Sequence, residues 1–119
     1  MKVSGLDTLL DLNGQVLIQE DGSWIKIEAR LVETGTHRPH GVKYSLTLHA
    51  PDGQRLMGYD NAHGLERKGN RHMATRLPYD HRHPFEKREP IPYEFSSPEE
   101  LLQDFFAEVD RVLKEVNKR

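Results

Sequence analysis

Residues 24–34 alternate strictly, with Trp24, Lys26, Glu28 and Arg30 on one side and Ile25, Ile27, Ala29 and Leu31 on the other. A period of two is what extended backbone imposes, because successive side chains leave opposite faces. The pattern predicts a strand in a sheet with one wet face. Residues 43–49 repeat it, setting Val42, Tyr44, Leu46 and Leu48 against Lys43, Ser45, Thr47 and His49. Turn signals delimit these runs: Asn13-Gly14, Asp21-Gly22 and Pro51-Asp52-Gly53. Residues 15–20, with Val16 and Ile18 alternating, predict a short strand before the first long one, and residues 55–60 a return strand after the second. A meander of about four antiparallel strands over residues 14–61 follows.

An apolar sheet face requires a cover, and the end of the chain supplies one. Ser97-Pro98-Glu99-Glu100 is a helix start, with Ser97 as N-cap, Pro98 at the first helical position and Glu100 placed for a capping box. Leu102, Phe105, Phe106, Val109, Val112, Leu113 and Val116 then recur at spacings of three and four. The spacing predicts a helix over 98–117. The expected fold is α+β: a twisted antiparallel sheet of about four to five strands, residues 93–95 adding a short edge strand, packed on one face by a long C-terminal helix. With 119 residues and 35% hydrophobic content, the chain suits one domain. The same helix face can serve a partner or a second copy, making a homodimer.

Between sheet and helix, residues 62–92 form an expected loop region rich in His and Arg, punctuated by Gly64, Gly69, Pro78, Pro84 and Pro90. Charge is unevenly spread. Residues 37–90 hold ten Lys/Arg against six Asp/Glu, and each flank comes to three more acids than bases. The basic middle suits a phosphate backbone, and equally a solvated loop surface. There is no cysteine, which excludes disulfides, thiolate chemistry and zinc-finger architecture. The first eight residues lack a secretory layout and no apolar run approaches the ~18 residues of a membrane span. The expected location is cytoplasmic, without a membrane.

Chemistry concentrates in a near-repeat. Tyr59-Asp60-Asn61-Ala62-His63 is echoed by Tyr79-Asp80-His81-Arg82-His83, and all seven histidines fall between His37 and His83. Imidazole titrates near neutrality unaided. Metal-free RNA cleavage needs a base for the ribose 2'-hydroxyl, an acid for the leaving 5'-oxygen and cations for the phosphorane. The candidates are His63 and His81 or His83 for proton transfer, with Asp60 and Asp80 as carboxylates that orient them. Arg76 and Arg82 are candidates to hold phosphate, and Tyr59 and Tyr79 to stack on a base or donate to it.

Two rivals stay open. Asp60, His63, Asp80, His81 and His83 have the composition of a divalent-metal ligand set, and His81-x-His83 projects to one face if extended, as Pro84 favours. The expectation is no cofactor, with such a metal as the alternative and a metal-dependent phosphodiesterase as its consequence. A non-catalytic module gripping RNA or a protein through the basic loop is the other. Asp60 and Asp80 can equally cap turns, and His49 and Trp24 read as structural. His37, His40 and His72 carry less weight.

Three fragments together, Gly41-Val42-Lys43-Tyr44-Ser45-Leu46, Gly58-Tyr59-Asp60-Asn61-Ala62-His63-Gly64 and Pro78-Tyr79-Asp80-His81-Arg82-His83, resemble the TumE family of toxins from prokaryotic toxin-antitoxin systems. The likeness runs over residues 10–113 and takes in Tyr93-Glu94-Phe95 and Leu101-Leu102-Gln103-Asp104-Phe105. It departs in residues 65–75, longer and more polar than the family's pattern, so Arg71 and His72 take no role from it. The resemblance implies a small toxin neutralised by a cognate DNA-binding antitoxin. Ribonuclease action, with RNA as substrate, rests on the residues above and on the habit of small toxins to attack RNA.

Overall fold

The computed structural model describes residues 5–35, 40–61, 80–87 and 89–118. In chain order these form α1(Leu6–Asp11), β1(Val16–Ile18), β2(Trp24–Leu31), β3(Val42–His49), β4(Arg55–Asp60), β5(His81–His83), β6(Ile91–Pro92) and α2(Pro98–Asn117). The strands lie in the sheet in the order of the chain, every neighbour antiparallel. This is the expected α+β architecture with six strands rather than four or five.

Register decides what each face carries. Ile25, Ile27 and Ala29 pair with Leu48, Leu46 and Tyr44, while Leu46 and Leu48 pair in turn with Tyr59 and Met57. One row of buried side chains therefore crosses three strands, and Leu101, Leu102, Phe105, Val109 and Val112 of α2 close over it. Phe105 is fully buried and meets the Tyr59 ring edge-on at 5.9 Å between centroids. Burying one such side chain stabilises by roughly 1.5–3 kcal/mol, so the apolar stripe of α2 is what fixes the helix on this face.

The helix start is as the sequence predicts: Ser97 is extended, its Oγ accepts from the Glu100 amide at 3.1 Å, and Pro98 opens the first turn. The reciprocal half of the capping box differs: the Glu100 carboxylate accepts from the Ser96 hydroxyl at 2.8 Å in place of the Ser97 amide.

Three features differ from expectation. Helix α1 was unforeseen; its Leu9 is fully buried in the core. The edge strand lies at Ile91–Pro92 rather than 93–95, where an edge tolerates a proline without a ladder donor. Strand β5 lies between Pro78 and Pro84, in the region expected to be irregular, and pairs with the end of β4. It is this last departure that builds the site.

Candidate active site

Strand β5 is held by register to β4, with Asp60 opposite His81, Tyr59 opposite Arg82 and Gly58 opposite His83. Tyr59 and Arg82 reach α2 through Glu108. Strand alternation then sends Asp60, His81 and His83 to the other face of the sheet. There the His81 Nε2 lies 3.1 Å from Asp60 Oδ1, and the His83 Nε2 lies 3.3 Å from Asp60 Oδ2. The two imidazole rings meet edge-on, 5.0 Å apart. His81 and Asp60 side chains are 6% and 16% exposed and His83 22%, so His83 is the most accessible of the three.

Burial alone would raise the Asp60 carboxyl, but its interactions with His81 and then His83 outweigh that and hold it well below the usual carboxylate range. The group is thus an anion shared by two imidazoles. Such a carboxylate fixes ring orientation and tautomer and favours a proton on the facing nitrogen. The same three side chains could hold a metal: their ligand atoms all lie within 4.8 Å of one another.

Asp80, one residue before this cluster, faces elsewhere. It is buried and accepts from the Tyr44 hydroxyl at 2.8 Å and from His40 Nε2 at 2.9 Å. Asn61 Nδ2 lies 3.4 Å from the same carboxylate and donates to the Val42 carbonyl at 2.7 Å, while its Oδ1 accepts from the Tyr44 amide at 2.9 Å. His40 Nδ1 accepts from the Val42 amide at 3.3 Å, which assigns the proton to Nε2. The His40 ring also packs on Phe95 at 3.9 Å. Asp80, expected to orient the candidate histidines, lies instead in a buried network at the start of β5.

Tyr59 and Arg82 lie away from the cluster. The Tyr59 hydroxyl donates to Glu108 Oε1 at 2.6 Å, and Arg82 Nη1 reaches the same oxygen at 3.2 Å, with Arg111 at 3.5 Å. Glu108 is a buried carboxylate that binds the sheet to α2. Arg82, a candidate phosphate ligand in the sequence, is engaged on the helix face. His63, Arg76 and Tyr79 lie outside the described residues, as do His37 and His72.

A cleft of about 540 Å³ opens beside His83, where β5 parts from the beginning of β4. Arg55, Leu56, Met57, Phe85, Glu86 and Lys87 line it with His83, and Val116 of α2 closes one side. Arg55 and Lys87 were not singled out in the sequence, because neither sits in a motif. His40 and Glu108 were also passed over: their partners lie 40 and 49 positions away. Asn61 did have a signal, its place inside the Tyr-Asp-Asn-Ala-His motif. His49 stacks flat on Trp24 at 4.0 Å and contacts the Gly53 carbonyl at 3.1 Å, as structural residues do.

Among the described residues no helix is long and apolar enough to cross a membrane. No curated protein and no solved structure matches the chain. One family model does, that of Toxin TumE, over residues 7–113. That span takes in the whole sheet, the clustered Asp60, His81 and His83 and most of α2, and the chain belongs to the TumE toxin family.

Proposed function

We propose that this toxin acts in the cytoplasm as a metal-independent endoribonuclease, held in check by a cognate DNA-binding antitoxin. The single observation that carries the reading is the pair of imidazoles on one carboxylate, with His83 bordering an open cleft. Asp60 engages His83 through Nε2 and leaves Nδ1 as the nitrogen for substrate. In that role His83 Nδ1 takes the proton of a ribose 2'-hydroxyl, and the freed oxygen attacks the adjacent phosphorus. The bond from phosphorus to the 5'-oxygen breaks, and that oxygen takes a proton from a general acid. The products are a 2',3'-cyclic phosphate and a 5'-hydroxyl. Asp60 stabilises the imidazolium that forms, and His81 holds Asp60 in place.

The reading gives the phosphate backbone to Arg55 and Lys87, which line the cleft with His83 and Glu86, because Arg82 is already engaged with Glu108. The acid stays with His63 on the sequence pattern alone. Induced expression in a bacterial host tests the reading. Wild type arrests growth and depletes RNA, His83→Gln and Asp60→Asn relieve the arrest at equal protein level, and Arg55→Glu with Lys87→Glu weakens it. Full toxicity of a folded His83→Gln protein would refute the assignment.

A further inference from the structure

The three side chains assembled for proton transfer also suit a different chemistry. Ligands bound to one ion at about 2.0–2.1 Å lie about 3.0–3.4 Å from one another, for octahedral and tetrahedral arrangements respectively. Asp60 makes two contacts of that length, from Oδ1 to the His81 Nε2 at 3.1 Å and from Oδ2 to the His83 Nε2 at 3.3 Å, and one ligand atom from each of the three residues lies within 4.8 Å of the others, so a small side-chain shift brings them onto one ion. The sheet register supplies the frame: two ligands stand two residues apart on β5, and the third, Asp60 on β4, is the cross-strand partner of His81. Two imidazoles with one carboxylate select transition metals over magnesium or calcium, which take all-oxygen sets.

We propose that Asp60, His81 and His83 bind one divalent transition-metal cation, zinc being the best match, and that its binding suppresses RNA cleavage by this toxin. Suppression follows from the imidazole itself. A metal on His83 Nε2 replaces the proton there and leaves the ring neutral only with its proton on Nδ1. The lone pair that would accept the 2'-hydroxyl proton is then gone. Asp60 is committed to the ion at the same time and no longer stabilises an imidazolium. With three protein ligands the ion keeps a position for water or a partner's side chain. The suppression rests on the ribonuclease reading; the binding does not.

The test uses full-length protein stripped with chelator and dialysed, titrated with zinc chloride in a calorimeter near neutral pH. One ion per chain is expected, and Asp60→Asn and His83→Gln each weaken binding at least tenfold, ~10–100-fold being the usual loss even for groups that only support a ligand. His49→Gln, in a histidine outside the cluster, keeps wild-type binding. Thermal unfolding of each variant, with and without zinc, separates loss of the site from loss of the fold: wild type melts higher with zinc and the cluster variants do not shift. Wild-type binding in a folded Asp60→Asn or His83→Gln protein, or no binding at all, overturns the site.

RNA cleavage is read on the same samples. Cleavage by stripped protein, halted by zinc and restored by chelator, is the expected result. Cleavage unaffected by bound zinc overturns the suppression alone. Protein that is inactive when stripped and switched on by zinc or manganese overturns suppression and the metal-free mechanism together, and leaves the site standing. Zinc bound through these residues in a protein that cleaves nothing refutes the proposed function and leaves the site standing.

Discussion

Replacing Asp80 by alanine tests whether the buried network beneath β5 is what positions the histidine pair. The Asp80 side chain is 6% exposed and accepts from Tyr44 at 2.8 Å and His40 at 2.9 Å, with Asn61 Nδ2 at 3.4 Å. Its loss strands the Tyr44 hydroxyl, which is in the core, and breaks a largely buried His–carboxylate pair. His40 is neutral, its Nδ1 accepting from Val42, so what is lost is hydrogen bonds to a carboxylate, worth ~1.5–3 kcal/mol each. Because the His40 side chain is 15% exposed, water recovers part of its loss, and ~3 kcal/mol for the bonds together is the better figure. A chain of 119 residues has a stability on the order of 6–18 kcal/mol, so the substitution removes a large fraction without abolishing folding. Tyr44→Phe deletes one charge-assisted bond and costs ~1.5–2 kcal/mol. The double variant falls short of the sum by at least ~1 kcal/mol, since both changes break the same bond. Urea unfolding of the four proteins measures this. The Asp80 carbonyl also accepts from the Tyr93 amide at 3.0 Å, so loosening Asp80 loosens the β5 edge, and amide exchange at His81–His83 should accelerate with it. A cost below about 1 kcal/mol for Asp80→Ala, with strict additivity to Tyr44→Phe, would refute the network's role.

Two further predictions concern the fold. Burial, then the Asp80, Glu108 and Asp104 carboxylates respectively, hold the phenols of Tyr44, Tyr59 and Tyr93 well above their ordinary value. A group raised on folding contributes stability that is complete below its unfolded value, about 10 for tyrosine, and is lost as pH rises beyond it. Ultraviolet titration should show these three rings ionising together, with unfolding, above about pH 10; independent, reversible ionisation of Tyr44 in folded protein would contradict it. At Gly5, with φ of 75°, an added Cβ would come within 2.5 Å of the Glu99 amide nitrogen. Gly5→Ala should therefore exceed the ~1–2 kcal/mol of left-handed strain alone, whereas Gly53→Ala, with φ of 96° and nothing within 4 Å, should cost only that strain. Equal losses in denaturant titration would show that α1 does not pack on the start of α2 as described.

Long alternating or stripe-bearing segments were legible because many side chains vote for one period. Strands β2, β3 and β4 and helix α2 fall where the residues predict them. Strand β5 has three residues, too few for a period, and it exists because Asp60, Tyr59 and Gly58 pair with it and Asp80 anchors its start. Only His-x-His followed by Pro84 hinted at extension. Helix α1 does place Leu6, Leu9 and Leu10 at helical spacing, but Gly5 before it offers no side-chain cap, so nothing marks where it begins. At the site, Asp60, His81 and His83 were nominated by residue type. Alternation could have separated them from Tyr59 and Arg82, because neighbours in a strand cannot face the same side. The partners of Asp80 and Tyr59 were hidden by sequence distance, and no local pattern announces a histidine that bonds 40 positions away.

The most direct measurement is the chemistry of the cut ends when purified toxin is incubated with RNA in excess chelator, beside His83→Gln. Proton transfer by the Asp60 and His83 pair yields 2',3'-cyclic phosphate and 5'-hydroxyl ends with wild type and none with the variant. Intact RNA, ends bearing a 5'-phosphate, or cleavage that survives His83→Gln would contradict it.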